Sequence, residues 1–346
     1  MSVKKFLVFM VAVVIIVGGF VYPINYYIMS PGNAYDLTEY VEVEHADAAS
    51  KGTLSMMTVA MSTATPFTYL YAKFADDRDV LKEEEVRAPE ESDAEYNLRQ
   101  LKLMTDSQFN AKYMAFKSTG HKFTVNYNGV YVIYVLEGAA ASKILQAGDE
   151  VTKIDGKMIE KHQDLVDYLK KKKKGDKISL TFKREDKTIT KNVTLKEIPG
   201  AKGKIGLGIT FSDSKSITTD PEVKINSEDI GGPSAGLMFT LEIIDQLTDG
   251  DLTKGHKIAG TGEMLENGEV GRIGGIDKKV IAADRDGVEI FFAPDDTISK
   301  ELKKAAPNVV SNYEEAVAEA KKIKSDMKIV PVKNLESALA YLDKLK

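Results

Sequence analysis

Residues 226–250, NSEDIGGPSAGLMFTLEIIDQLTDG, decide how the C-terminal half of the chain is read. The first part is rich in Gly, Pro, Ser and Asp and reads as a sharp turn. After it, Leu237, Met238, Leu241, Ile244 and Leu247 recur at helical spacing. Ser234 stands at the junction of turn and helix. Its hydroxyl can cap the helix by accepting a first-turn N–H. It can instead attack a carbonyl beside N–H groups that stabilise an oxyanion. Gly231, Gly232 and Gly236 permit close approach of a substrate backbone, and Pro233 fixes the turn. The segment alone leaves both roles open.

A nucleophilic serine needs a base. The chain has four His, and His256 alone follows closely, in a turn before a strand. A lysine is the other choice, provided burial strips its proton. Residues 257–294, KIAGTGEMLENGEVGRIGGIDKKVIAADRDGVEIFFAP, offer such a setting. KIAGTGE is a strand reaching a turn, and MLENGEVGRI is hairpin-like around Asn267-Gly268. GGIDKKVIAADRDG opens a helix on which Ile276, Val280 and Ala283 share an apolar face with Lys279 close by. Lys278 is expected to face water. VEIFFAP reads as a buried strand.

The 346 residues suggest two or three domains. Cys is absent, which excludes disulfides, thiolate chemistry and Cys-based zinc sites. The hydrophobic fraction of 43% supports sizeable cores, and the net charge of -5 gives no global basic field for nucleic acid. Residues 6–21, FLVFMVAVVIIVGGFV, carry no charge. At about 1.5 Å per residue they and Tyr22–Ile24 give roughly 24–28 Å of helix, a short but usable membrane span. Lys4 and Lys5 place the preceding end in the cytoplasm. The following GGFVYPINYY is bulky and aromatic, unlike a cleavage site. A single-pass anchor at the cell membrane is therefore expected, over residues 1–28, with the rest outside the cytoplasm.

Residues 29–114 are expected to form an extracytoplasmic region of strands and helical, acidic segments. Residues 76–96 hold ten acidic side chains against three basic ones and read as an exposed loop or polar arm. Leu98, Leu101, Met104, Phe109 and Met114 form a helical packing stripe that ends at Gly120.

Residues 115–198 alternate strands, a short helix, strands, a longer helix and strands. GVYVIYVLEGAAASKILQAGDEVTKIDGK, at 129–157, resembles the bacterial protease type of PDZ domain. The resemblance implies an extended chain bound beside Gly129, Val130, Tyr131, Val132 and Ile133 by strand addition at a sheet edge. The helix from about His162 would form the opposite wall. The alternative is a packing domain whose groove is filled. PGAKGKI, residues 199–205, reads as a linker, with a further domain beginning near Ile205.

That last domain, 199–346, is similar to the proteolytic domain of the Lon family, peptidase family S16. GGPSAG at 231–236 resembles the nucleophile motif, and TGE at 261–263 with GEVGRIGGIDKKVIAA at 268–283 resembles the lysine motif. The resemblance implies Ser234 as nucleophile, Lys279 as base and Thr261 as support for the lysine amine, with N–H groups at Gly232 and Ser234 on the oxyanion side. Cytosolic Lon forms usually carry Asp at the Gly231 position, and Asp229 is no obvious substitute. No G-x-x-x-x-G-K-[ST] phosphate loop occurs in the sequence. The order of segments resembles the membrane-anchored PDZ-containing Lon-like proteases of Gram-positive bacteria. It implies an α+β chain comprising a transmembrane helix, a PDZ-like domain and an α/β Lon-type domain. It further implies an ATP-independent serine endopeptidase acting on exported peptides or small proteins. No metal or other cofactor is needed for that chemistry, no nucleic acid is expected, and the resemblance allows a homo-oligomer. The competing functional readings are a catalytically weak peptide-binding module and a membrane scaffold.

Overall fold

Residues 290–294, IFFAP, are buried at every position, as suits a strand covered on both faces. The computed structural model describes residues 3–46, 50–88, 91–227 and 230–346. In chain order the main elements begin with helix α1 (Val3–Val21), strands β1 (Tyr26–Asp36) and β2 (Thr53–Thr63), helix α2 (Pro66–Phe74) and strand β3 (Asp79–Lys82). Helix α3 (Asp93–Thr119), strands β4 (Lys122–Val135) and β5 (Glu150–Ile154), and helix α4 (His162–Leu169) follow. Next are strands β6 (Lys177–Arg184), β7 (Lys187–Thr194) and β8 (Ile209–Asp220), then helix α5 (Gly236–Leu247) and strand β9 (Lys257–Gly260). Helix α6 (Ile276–Arg285), strand β10 (Ile290–Pro294), helix α7 (Asn312–Lys322), strand β11 (Lys328–Val332) and helix α8 (Leu335–Leu342) complete the chain. The chain divides into two units, one of residues 1–91, 224–226 and 233–346, the other of residues 92–223 and 227–232.

The first unit is built on a sheet of order β11-β10-β9-β2-β1-β3. Its first four strands run parallel, and β1 pairs antiparallel with both β2 and β3. Helices α6 and α7 bury Ile276, Val280, Ala283, Ala316 and Ala320 with Met57, Ala259 and Phe291 of the sheet. Helix α5 is buried at every position from Gly236 to Ile244, so its apolar surface extends around the helix rather than along one stripe. By contrast, none of the residues of α1 is buried. It is the one helix among the described residues that is long and apolar enough to cross a membrane.

The second unit is an antiparallel sheet of order β8-β4-β5-β6-β7. Val130, Val132, Val151, Ile154, Leu165, Leu180 and Phe182 form its core. Helix α3 opens with a Ser92–Glu95 capping box and closes on Gly120 in the left-handed conformation. Of its expected stripe, Met104, Phe109 and Met114 are buried, while Leu98 and Leu101 are exposed.

Three features differ from the segment boundaries read in the sequence. Strands β1 and β2, expected in a separate region, share the sheet of β9 to β11 because hydrogen bonding of β2 to β9 joins them. Residues 198–204 form a tight turn in which Ile198 N–H donates to the Lys204 carbonyl at 2.8 Å, rather than a linker. Strand β8 consequently belongs to the second unit. The acidic stretch is not wholly solvated either: its residues 79–82 are β3, while residues 89 and 90 lie outside the described residues.

Candidate active site

Gly275 caps the start of helix α6, and its φ of 65° is left-handed. A Cβ there would collide with the Met29 Sδ atom, so glycine lets the helix start close against β1. One turn on, Lys279 is buried with only 2% of its surface exposed. Its Nζ lies 2.7 Å from Ser234 Oγ and 2.9 Å from Thr261 Oγ1. Thr261 follows the C-terminal end of β9 and is itself fully buried. Its N–H donates to the Phe292 carbonyl of β10 at 3.1 Å, and its hydroxyl donates to the Ser234 carbonyl at 3.0 Å. Gly262 N–H donates to that same carbonyl at 2.8 Å, fixing the turn that carries the serine.

These bonds order the protons. The Thr261 hydroxyl has one proton, committed to the Ser234 carbonyl, so towards Lys279 it can only accept. An N–H of the amine therefore points at Thr261. Burial without a nearby carboxylate lowers the Lys279 pKa to about 7. The neutral amine then has a lone pair for the Ser234 hydroxyl proton.

Lys278, expected to face water, is just as buried. Burial alone would lower its pKa, but Asp277 and Asp79 lie 2.5 and 2.9 Å away and outweigh that effect. Lys278 is thus held above the usual lysine range while its neighbour is held below it. Sequence reading missed this because Asp79 lies far away in the chain.

Ser234 does not cap α5. Ala235, whose methyl side chain has no acceptor, holds the N-cap position, so no side-chain cap bond forms there, while the serine hydroxyl meets Lys279. The Gly232 N–H, expected on the oxyanion side, donates to the Gln100 carbonyl at 2.9 Å and is committed there. Among the described residues the N–H groups of Ser234 and Ala235 donate to no protein acceptor. Asp229 lies outside the described residues.

Residues 221–342 match the Lon protease (S16) C-terminal proteolytic domain. Residues 118–195 match the PDZ domain. The chain therefore carries a PDZ segment followed by a Lon-type segment. It is 29% identical to the Lon protease of Rickettsia bellii over 134 residues, which is 39% of this chain and 15% of that protein. With the Lon protease of Mycoplasma mobile it shares 30% identity over 167 residues, 42% of this chain and 20% of that protein. The chain thus spans a fifth or less of the length of these relatives. The PDZ domain of the SdrC-like protein from Listeria monocytogenes is 39% identical, covering 25% of this chain and 92% of that structure, with a TM-score of 0.24.

The PDZ segment requires a correction. Gly129, Val130, Tyr131, Val132 and Ile133 were expected on an exposed edge, but β4 is an interior strand. Asp213, Ser212 and Phe211 of β8 pair with Val130, Tyr131 and Val132 on one side. Val151 and Glu150 of β5 pair with Val130 and Tyr131 on the other. The outer position belongs to β8, and among the described residues no strand covers its far edge. A groove of about 570 Å³ lies there, lined by Val166 and Leu169 of α4 and by Ile205, Ile209 and Phe211. The His162 N–H and ring both bond Asp213, at 2.6 and 2.9 Å, tying the start of α4 to β8. The signal for this groove was Gly206-Leu207-Gly208 opening an alternating strand, obscured by the apparent linker before it.

Proposed function

We propose that this protein is a serine endopeptidase with a Ser234–Lys279 dyad, anchored by α1 and acting on extracytoplasmic peptides or small proteins. The observation that carries the reading is a buried lysine amine 2.7 Å from the hydroxyl of Ser234, its pKa brought down by burial to about 7. Neutral Lys279 takes the hydroxyl proton as Ser234 Oγ attacks the scissile carbonyl. The N–H groups of Ser234 and Ala235, at the start of α5, hold the oxyanion. The lysine returns its proton to the leaving amine, and an acyl-enzyme remains. Water, deprotonated by the same lysine, then releases the acid product. Thr261 keeps the amine lone pair aimed at Ser234. Every group in this sequence belongs to one unit, and none of the steps uses a nucleotide.

The outer edge of β8 and the wall of α4 suit an extended peptide that adds to the sheet by main-chain hydrogen bonds. We assign substrate capture to this groove. The 19 residues of α1 give roughly 28 Å of apolar helix, and Lys4 and Lys5 favour a cytoplasmic N-terminus.

The test uses the full chain reconstituted in vesicles, with unstructured peptides and a small protein as substrates, with and without ATP. Products are mapped by mass spectrometry. The wild type should cleave in both conditions. Ser234→Ala should abolish turnover, and Lys279→Ala should lower it by about 10²–10⁴-fold. Undiminished cleavage by folded Ser234→Ala would sink the proposal and favour a peptide-binding module.

A further inference from the structure

Helix α2 presents an apolar stripe that the fold does not use. Thr65 and Thr68 form its capping box, and Pro66 occupies the first turn. Its inner side places Ala72 and Tyr69 against Ile28, Ala64 and Val80 of the first unit. That contact satisfies the packing of the helix. Yet Phe67, Leu70, Tyr71 and Phe74 are exposed by 36, 54, 61 and 83%. They follow the i, i+3, i+4, i+7 spacing of a single helical face. Only Thr68 and Lys73 are polar among the nine residues of the helix. An outer face facing water would ordinarily carry the polar residues instead.

The stripe is continuous with α1. Phe67 packs on Phe20 with ring centroids 4.7 Å apart. Gly19 leaves room for that ring, since a Cβ at this position would collide with it. Both helices belong to one unit. Cations lie over two rings of the helix: Lys73 Nζ is 5.6 Å from the centroid of Tyr69 on the inner side, and the Arg78 guanidinium is 5.1 Å from that of Tyr71 in the stripe. Aromatic rings with basic groups beside them match the chemistry of the headgroup zone.

We propose that α2 is a membrane-surface helix, its Phe67, Leu70, Tyr71 and Phe74 stripe seated in the headgroup and upper acyl region of the bilayer that α1 spans. The inference rests on the anchor reading of α1. Its occupant is lipid because the stripe continues an apolar helix none of whose residues is buried. Two attachments, one spanning and one lying on the surface, would restrict tilting of the first unit about a single helix. The β2–α2–β3 connection would thereby be kept at the membrane.

The chain contains no Trp, so single substitutions give clean optical probes. Full-length Phe74→Trp, Val14→Trp and Val310→Trp are reconstituted separately in phosphatidylcholine vesicles. The lipids carry bromine either near the headgroup or near the acyl chain end. Phe74→Trp should emit to the blue and be quenched several-fold more by shallow bromine than by deep bromine. Val14→Trp, in the middle of α1, should show the reverse preference. Val310→Trp, on an exposed part of the same unit, should remain unquenched.

Quenched Val14→Trp with unquenched Phe74→Trp would overturn the surface-helix proposal and leave the anchor standing. Quenched Phe74→Trp with unquenched Val14→Trp would sustain lipid contact by α2 and sink the anchor. A blue shift at position 74 without lipid quenching would mean that a second copy covers the stripe, which also overturns the proposal. Equal quenching at positions 74 and 310 would show undirected adsorption, with the same consequence.

Discussion

Two adjacent lysines show how neighbours decide the charge of equally buried groups. Each keeps only 2% of its surface. Lys278 faces two carboxylates and stays an ammonium. Lys279 faces two hydroxyls, and burial brings its pKa down to about 7. If neutral Lys279 is the base, log kcat/KM should rise with a slope near one below about pH 7 and level off above it. The sign follows from burial penalising the charged form, so raising the pH populates the active amine. Turnover of one peptide measured from about pH 6 to about pH 10 checks this. A limb falling with pH through that region would contradict it. Lys279→Arg should be inactive, since guanidinium stays charged and cannot accept the proton.

Thr261→Val tests positioning rather than charge. It removes both the acceptor for Lys279 and the donor to the Ser234 carbonyl. A fall of about 10–100-fold in kcat is expected, with KM little changed and activity largely restored by Thr261→Ser. Full activity in the Thr261→Val enzyme would remove the positioning role. Ser234, Thr261 and Lys279 were legible because their motifs are local words separated by a characteristic spacing. The distant partner of Lys278 was not legible, since only the pairing of β3 with β1 brings Asp79 into the same sheet as the strands beside the site.

Among elements, α5 combines an apolar surface with a carboxyl that the proposed chemistry does not use. Glu242 is 2% exposed, and burial raises its pKa to about 7, although Gln246 donates to it at 2.7 Å. The nearby Asp245 and Asp36 also disfavour its ionised form. In the unfolded chain this carboxyl should titrate near 4.5. Between that value and about 7 the folded state binds more protons, so stability contributed by Glu242 falls as pH rises. Glu242→Gln should remove this dependence. Its Tm gain over the wild type should be larger at about pH 8 than at about pH 5, by several degrees at roughly 2–4 °C per kcal/mol. A Tm difference independent of pH would show that Glu242 is ionised throughout. The periodic apolar positions made α5 legible, but their spacing could not disclose its buried glutamate. The cap role of Ser234 likewise depended on a boundary one residue away, because Ala235 takes that place.

For the whole molecule, connectivity explains which parts of the sequence reading succeeded. The strands and the longer helix of residues 115–198 were visible, but the short helix expected between the first strands is a run of turns over 137–148, and β8 arrives after what resembled a linker. Likewise, β1 and β2 precede the second unit but belong to the sheet of the first. Alternation identifies a strand without naming its neighbour, and a one-dimensional boundary cannot show such interleaving. The distinction bears directly on substrate capture. Removing residues 122–198 would leave β8 without β4 and confuse lost binding with lost folding. A point change in the α4 wall is cleaner. Val166 is half-buried and lines the groove without belonging to its central core. Val166→Glu places a charge against an extended apolar ligand while leaving Ser234, Thr261 and Lys279 untouched. If the groove captures substrate, kcat/KM for a long polypeptide should fall at least about tenfold, the equivalent of about 1.4 kcal/mol. The loss should appear mainly in KM, and a short peptide that cannot reach both sites should be cleaved at the wild-type rate. Thermal unfolding of the variant checks that the unit remains folded. Equal losses for both substrates would instead assign this region to maintaining the proteolytic unit, whereas no loss for the long substrate would remove the groove from capture.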